Sequence, residues 1–204
     1  MIKYLKYSSI ISLGILIGRL LGFLREIILA KKFGISEQND QLILILTTPD
    51  LINNLISVST ISLILIPFFQ ENKKKTYNKF KIIFIPFLKI TLIFYLIVLV
   101  FYYKFYDFFT FALLSISLLS VFPNIVTGIY SSYLQFQEKF LVPSSLNFIF
   151  NLVIILGLIF FYNNTIFSFF IITAALIRMG FVIHFNNLKL NNYKFINSTG
   201  VKLD

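Results

Sequence analysis

Gly14–Gly34 reads GILIGRLLGFLREIILAKKFG, and this stretch decides what kind of fold the chain can adopt. It lies in an apolar segment running from Ser8 to Phe33, yet it carries Arg19, Arg25 and Glu26. A charge near the centre of a bilayer costs roughly 2.5–3.5 kcal/mol on insertion scales, so it normally faces a partner or a watery cavity. Gly14, Gly18 and Gly22 recur at every fourth residue, and small residues at that spacing let another helix backbone approach closely. The expectation is a helix that packs through its glycines on one side and lines a polar cavity with its arginines on another.

The rest of the chain supports a membrane setting. Of 204 residues, 58% are hydrophobic and 13% charged, and the mean hydropathy is +0.87. Soluble domains average about 45–50% apolar and about 25% charged. With no cysteine, neither a disulfide framework nor a thiolate metal site is possible. One histidine, His184, and eight scattered acids form no metal-ligand cluster, and no cofactor motif is present. The net charge of +10 reads as topological, because lysine and arginine collect in cytoplasmic loops. A nucleic-acid partner is therefore not expected.

Working outward, six apolar spans appear, at approximately 8–33, 41–69, 82–103, 108–136, 143–162 and 166–185. Each is near the length of about 20 residues that a crossing needs. Residues 1–188 are expected to form one six-helix transmembrane lobe, and 189–204 a polar cytoplasmic tail. An N-terminus inside puts eleven lysines in cytoplasmic segments and three, Lys31, Lys32 and Lys104, on the opposite side. That asymmetry puts both termini in the cytoplasm.

Polar residues inside the spans are the candidate functional groups. Arg19 follows about a dozen mostly apolar residues, too deep for easy snorkelling, whereas Arg25 and Glu26 are near enough to the helix end to reach headgroups. Asp50, Asn53, Asn54 and Ser57 are three, four and seven apart in the second span and share a helix face. Against a cavity role stand codon bias toward asparagine and hydroxyls bonding back to their own helix. Pro49 is expected to kink that helix. Ser36 or Asp40 is placed to cap it. Arg178 is deep in the sixth span and can face the cavity or pair with another helix, while Lys89 and His184 sit near the cytoplasmic side. The glycines have the plain reading of packing. No nucleophile–base pair, Walker loop or dinucleotide fingerprint occurs, so moving a substrate is expected rather than transforming one.

Arg19-Leu-Leu-Gly-Phe-Leu-Arg25-Glu26, then Phe33-Gly34, Asp40 and Pro49-Asp50-Leu51, resembles the opening of the MviN/MurJ family of lipid II flippases, within the multidrug/oligosaccharidyl-lipid/polysaccharide exporters. The family start reads approximately R-x-L-G-F-x-R-[DE], then F-G-x(4–5)-D, then P-N-L. The spacing continues to Ser62 and Pro67, and weaker similarity covers Gly128–Phe150. The resemblance implies a bacterial cytoplasmic-membrane transporter with two lobes around a cationic cavity. Arg19 and Arg25 match its cavity arginines, and Asp40 its acid after Phe-Gly. The implied partners are membrane lipids, a polyprenyl-diphosphate-linked glycan, and a second lobe, either another copy or a separately encoded half.

The sequence also departs from the family. An arginine beyond P-N-L falls at Asn53 or Asn54, A-E-G-A falls on Ser57-Val58-Ser59-Thr60, and twelve to fourteen helices are replaced by six. The expectation is a half-transporter that flips lipid II. The alternatives are a truncated, non-transporting remnant and a flippase for another lipid-linked oligosaccharide.

Overall fold

The computed structural model describes residues 2–56, 58–71, 76–161 and 163–198, with side chains at 5, 7–52, 61–70, 84–161 and 163–186. Every described element is an α-helix. In order they are α1 (Ile2–Phe33), α2 (Glu37–Ile56), α3 (Val58–Glu71), α4 (Thr76–Phe105), α5 (Phe108–Leu118), α6 (Val121–Phe136), α7 (Leu141–Phe160) and α8 (Asn164–Ser198).

Local chemistry sets the turns. Gly34 stops α1 with φ 57°, a left-handed conformation that glycine adopts without steric penalty. Its N–H closes on Ala30 O at 3.0 Å. Of the two cap candidates, Ser36 takes the role: its Oγ accepts from Asn39 N at 3.2 Å. Glu37 and Asp40 follow in the first turn of α2, where the helix dipole favours acids. Asp107 caps α5, accepting from Thr110 N at 3.1 Å.

One expected span differs from the observed helices. Over 41–69 the described residues are helical on both sides of residue 57, in α2 and α3, and α2 runs on through Pro49, which is buried. The span at 108–136 is interrupted at Leu119–Ser120, between α5 and α6. Pro123 explains this, because a proline ring in a helix clashes with the carbonyl four residues earlier, here that of Leu119. The chain tightens to i−3 bonds there, Leu119 N to Ile116 O at 3.1 Å and Ser120 N to Ser117 O at 3.0 Å. The last helix also runs past the expected boundary at 185, to Ser198.

Contacts give the helix directions. Gly14, Gly18 and Gly22 meet Ser144, Asn147 and Asn151 in the same order, so α1 and α7 run parallel. On the other rods, Gln41 meets Thr110, Ser62 meets Ser132 at 2.9 Å, and Phe69 meets Tyr133 and Phe136. Asn124 meets Arg178 and Tyr130 meets Asn186. Hence α2–α3, α5–α6 and α8 share one direction. Tyr103 against Phe111 and Tyr95 against Phe122 set α4 antiparallel to α5–α6. The described helices therefore form six rods alternating in direction, with the short turns at 34–36 and 106–107, and Phe161 and Asn163 between α7 and α8, at one end.

Apolar side chains fill the space between the rods. One cluster joins α1, α2, α5, α7 and α8 around Leu29, Ile45, Leu114, Ile154 and Phe167. A second joins α2, α3 and α5–α6 around Ile52, Leu65, Phe69 and Ile125. Outside lies a broad apolar surface, including Leu16, Leu20, Phe23, Ile93, Ile97, Phe101 and Phe160. Apolar exposure on this scale marks a membrane-facing or partner-facing surface rather than a water-facing one. Four described spans are long and apolar enough to cross a bilayer: Phe84–Phe105, Phe108–Phe136, Leu141–Phe160 and Asn164–Asn186.

Candidate functional site: an arginine-lined cavity

α1 and α7 lie against each other because three glycines remove the side chains that would hold them apart. A Cβ on Gly14 would sit 2.5 Å from Ser144 Cβ and 2.9 Å from Ser144 O. One on Gly18 would sit 2.9 Å from Asn147 Cβ. At Gly22 the nearest atom would be Asn151 Nδ2 at 3.6 Å, an ordinary contact. The seam is tight at the Gly14 end and looser toward Gly22, and it brings the asparagines of α7 up to the arginines of α1.

Beside that seam opens a cavity of about 350 Å³, lined by Gly18, Arg19, Gly22, Arg25, Asp50, Asn147, Phe150, Asn151 and Arg178. Four helices contribute: α1, α2, α7 and α8. Counting along each helix from the end with the short turns, Arg19, Asp50, Asn147 and Arg178 all lie about 20 Å down, at a rise of 1.5 Å per residue. Arg25 and Asn151 lie about 12–14 Å down. Arg19, Asp50, Asn147 and Arg178 thus share one level, and Arg25 and Asn151 lie about one helical turn nearer the short turns.

The three arginines differ in how they are held. Arg19 is exposed and makes no hydrogen bond or ion pair among the described residues. Arg25 donates from Nε and Nη2 to Glu26 Oε1 at 3.1 and 2.7 Å, and from Nη1 to Asn151 Oδ1 at 3.3 Å. Asn151 in turn donates from Nδ2 to Gly18 O at 3.0 Å, tying the arginine to the helix seam. Arg178 donates from Nη2 to Asn124 Oδ1 and lies over the Phe150 ring, 4.8 Å from its centroid. Its Nε is buried without a partner among the described residues. Asp50 interacts electrostatically with Arg25, Arg178 and Glu26, and makes no hydrogen bond among the described residues.

Arginine suits this geometry chemically. Its planar fork keeps its charge in a low-dielectric site and matches oxyanions bidentately. Arg19 and Arg178 line a space of molecular size together with Asn147. The arrangement can hold an anion. Among the described residues no group of histidine and acidic side chains is placed to hold a metal ion.

Of the residues singled out from sequence, Arg19, Arg25, Asp50 and Arg178 come together here. Asp40 lies on the exposed first turn of α2 and is not part of the lining. Asn53 and Asn54 lie outside the residues whose side chains are described, and Ser57 lies outside the described residues altogether. Gly14, Gly18 and Gly22 are at the α1–α7 seam, with Gly18 and Gly22 also flooring the cavity. Asn151 and Phe150 were not picked out. The signal for Asn151 was its place four residues after Asn147 in an otherwise apolar helix, the spacing that stacks two amides on one face.

Fold and site together define a class: an all-helical, multi-pass membrane protein built around an arginine-rich cavity. Comparison of the chain with protein-family models, with curated proteins and with solved structures gives no match.

Proposed function

We propose that the protein moves a polyprenyl-diphosphate-linked glycan precursor across the bacterial cytoplasmic membrane, with lipid II as the foremost substrate. The observation that carries this reading is the convergence of Arg19, Arg25 and Arg178, from two helices far apart in sequence, on one 350 Å³ cavity. A diphosphate needs fixed cationic donors where water is scarce, and the apolar surface beside Arg19 offers the lipid tail a continuous path in the bilayer.

On this reading all six rods cross the membrane and both termini are cytoplasmic. The alternation of helix directions and the lysine asymmetry support it. The cavity opens on the α1 side, where Arg19 is exposed, so a second lobe facing it would complete the enclosure. Rocking of the lobes would then expose the headgroup to either side in turn. Another copy of this chain or a different polypeptide can supply that lobe. The resemblance of Arg19–Glu26 and Pro49–Leu51 to the MviN/MurJ pattern supports the same substrate class, and a different lipid-linked oligosaccharide remains within it.

The test is depletion of the protein in cells, followed by measurement of precursor on each face of the membrane. Accumulation on the cytoplasmic face, relieved by the wild-type chain and not by Arg19→Ala, is the expected result. Unchanged sidedness on depletion would overturn the proposal.

A further inference from the structure

The charges around the cavity do not match a diphosphate one for one. Arg19, Arg25 and Arg178 bring three positive charges. Asp50 in the lining and Glu26, bound to Arg25 at 2.7 Å, bring two negative ones. One net positive charge remains. A diphosphate esterified at both ends carries two negative charges throughout the neutral range, so the occupied site would hold one negative charge in excess. Uncompensated charge in a low-dielectric cavity is strongly disfavoured, and the usual escape is a change of protonation.

The group that can make that change is identifiable. Glu26 is bonded twice by the Arg25 guanidinium, and its side chain is half exposed, so it is already neutralised by pairing and by water. Asp50 has no hydrogen-bond donor among the described residues. The charged groups facing it are Arg25 and Glu26 from α1 and Arg178 from α8, with Arg19 across the cavity. Of α3, α5 and α6, which also pack on α2, the sequence places one charged residue, Glu71, at the last position of α3. The charge partners of Asp50 are therefore the same arginines that a diphosphate would engage. As the ligand draws those guanidinium groups onto its own oxygens, the carboxylate loses its compensation and gains two negative neighbours.

We propose that Asp50 is a proton-binding site coupled to the anion: a diphosphate enters the cavity together with one proton, taken from water onto the Asp50 carboxylate, and both leave together. This rests on the phosphate-binding reading above and adds to it a proton as the coupled ion. A singly charged phosphate diester would balance the cavity as it stands and bring no proton.

The experiment uses the full chain in detergent micelles and two probes that do not titrate near neutrality, a P1,P2-dialkyl diphosphate and a dialkyl phosphate. Calorimetry in buffers of matched pH and different ionisation enthalpy counts protons taken up on binding. The expected result is about one proton per dialkyl diphosphate and none per dialkyl phosphate, with diphosphate affinity falling about tenfold per pH unit on the alkaline side. Asp50→Asn should abolish the uptake and flatten the pH dependence. Zero uptake by the wild type, equal uptake with the two probes, or uptake retained in an Asp50→Asn protein that binds the diphosphate would each overturn the coupling, and the first two do not require Asp50→Asn to fold. Absence of binding by either probe would overturn the phosphate reading itself, and the coupling with it.

Discussion

The glycine stripe makes a graded prediction. Replacing Gly14, Gly18 and Gly22 by alanine adds the same methyl group three times, on the same helix, in the same apolar environment. Alanine also favours helix over glycine by about 0.8–1.0 kcal/mol in water. The three variants should nonetheless differ, because the neighbours differ. At position 14 the new Cβ would meet Ser144 Cβ at 2.5 Å and Ser144 O at 2.9 Å, atoms that no side-chain rotation can move. Only a displacement of α1 from α7 by about 1 Å restores ordinary contact, and a gap of that size forfeits about a quarter to a half of each dispersion well along the seam. Overpacking of this kind costs about 1–3 kcal/mol. At position 18 the closest approach is 2.9 Å to Asn147 Cβ, with the backbone no nearer than 3.6 Å, and about half the displacement suffices. At position 22 there is room, since the nearest atom is 3.6 Å away.

The expected order of stability is therefore Gly22→Ala at or above the wild type, Gly18→Ala lower by about 1 kcal/mol, and Gly14→Ala lower by about 2 kcal/mol. For a chain of this size about 2–4 °C of melting temperature corresponds to each kcal/mol, so Gly14→Ala should melt about 4–8 °C below the wild type. Size-exclusion detection after heating in detergent measures this directly. Ser144→Gly removes the 2.5 and 2.7 Å contacts and leaves the one at 2.9 Å. Combined with Gly14→Ala it should recover part of the loss, giving a positive coupling in a double-mutant cycle. A Gly14→Ala protein as stable as Gly22→Ala, or a cycle without coupling, would refute the packing argument.

Three further outcomes follow from other contacts. Lys32 donates to Phe161 O at 3.1 Å and to Leu158 O at the end of α7, where a helix leaves its last carbonyls unpaired. Lys32→Met should lower the melting temperature by the equivalent of about 1–2 kcal/mol and speed amide exchange at Phe161 and Asn163. Asn151→Leu removes both the bond to Gly18 O and the one to Arg25. It should cost about 1 kcal/mol, in keeping with interhelical bonds in membranes, and loosen dialkyl diphosphate binding by freeing the Arg25 side chain. Hydrogen bonds from Thr110 hold the Asp107 carboxyl below the usual carboxylate range. Its contribution is therefore fully present above that range and is lost as pH falls through the lowered value. Asp107→Ala should flatten the acid limb of a melting-temperature profile, with no change near neutrality in its slope.

How much of this was legible in the chain depends on what kind of information each feature needs. A charge in an apolar run is visible in one dimension, which is why Arg19, Arg25, Asp50 and Arg178 could be singled out before any coordinates. Pro123 carried the signal for the interruption at Leu119, four residues back, although it was read only as part of a continuous helix. What no single segment could disclose is the level at which the charges meet. That level is set by the three short turns, at Gly34, Asp107 and Asn163, which bring the helix ends together. Because the helices then descend at the same rise, groups about 20 Å from those turns arrive at the same depth. Asp40, only one turn into α2, stays near the end, while Asp50 reaches the arginines. An insertion of two residues between Phe33 and Glu37 would leave this level intact, since each helix keeps its count from the turn. Two residues inserted within α2 ahead of Asp50 would rotate the carboxylate by about 200° and separate it from Arg25 and Arg178. Depth and facing, rather than the presence of the charges, make the site.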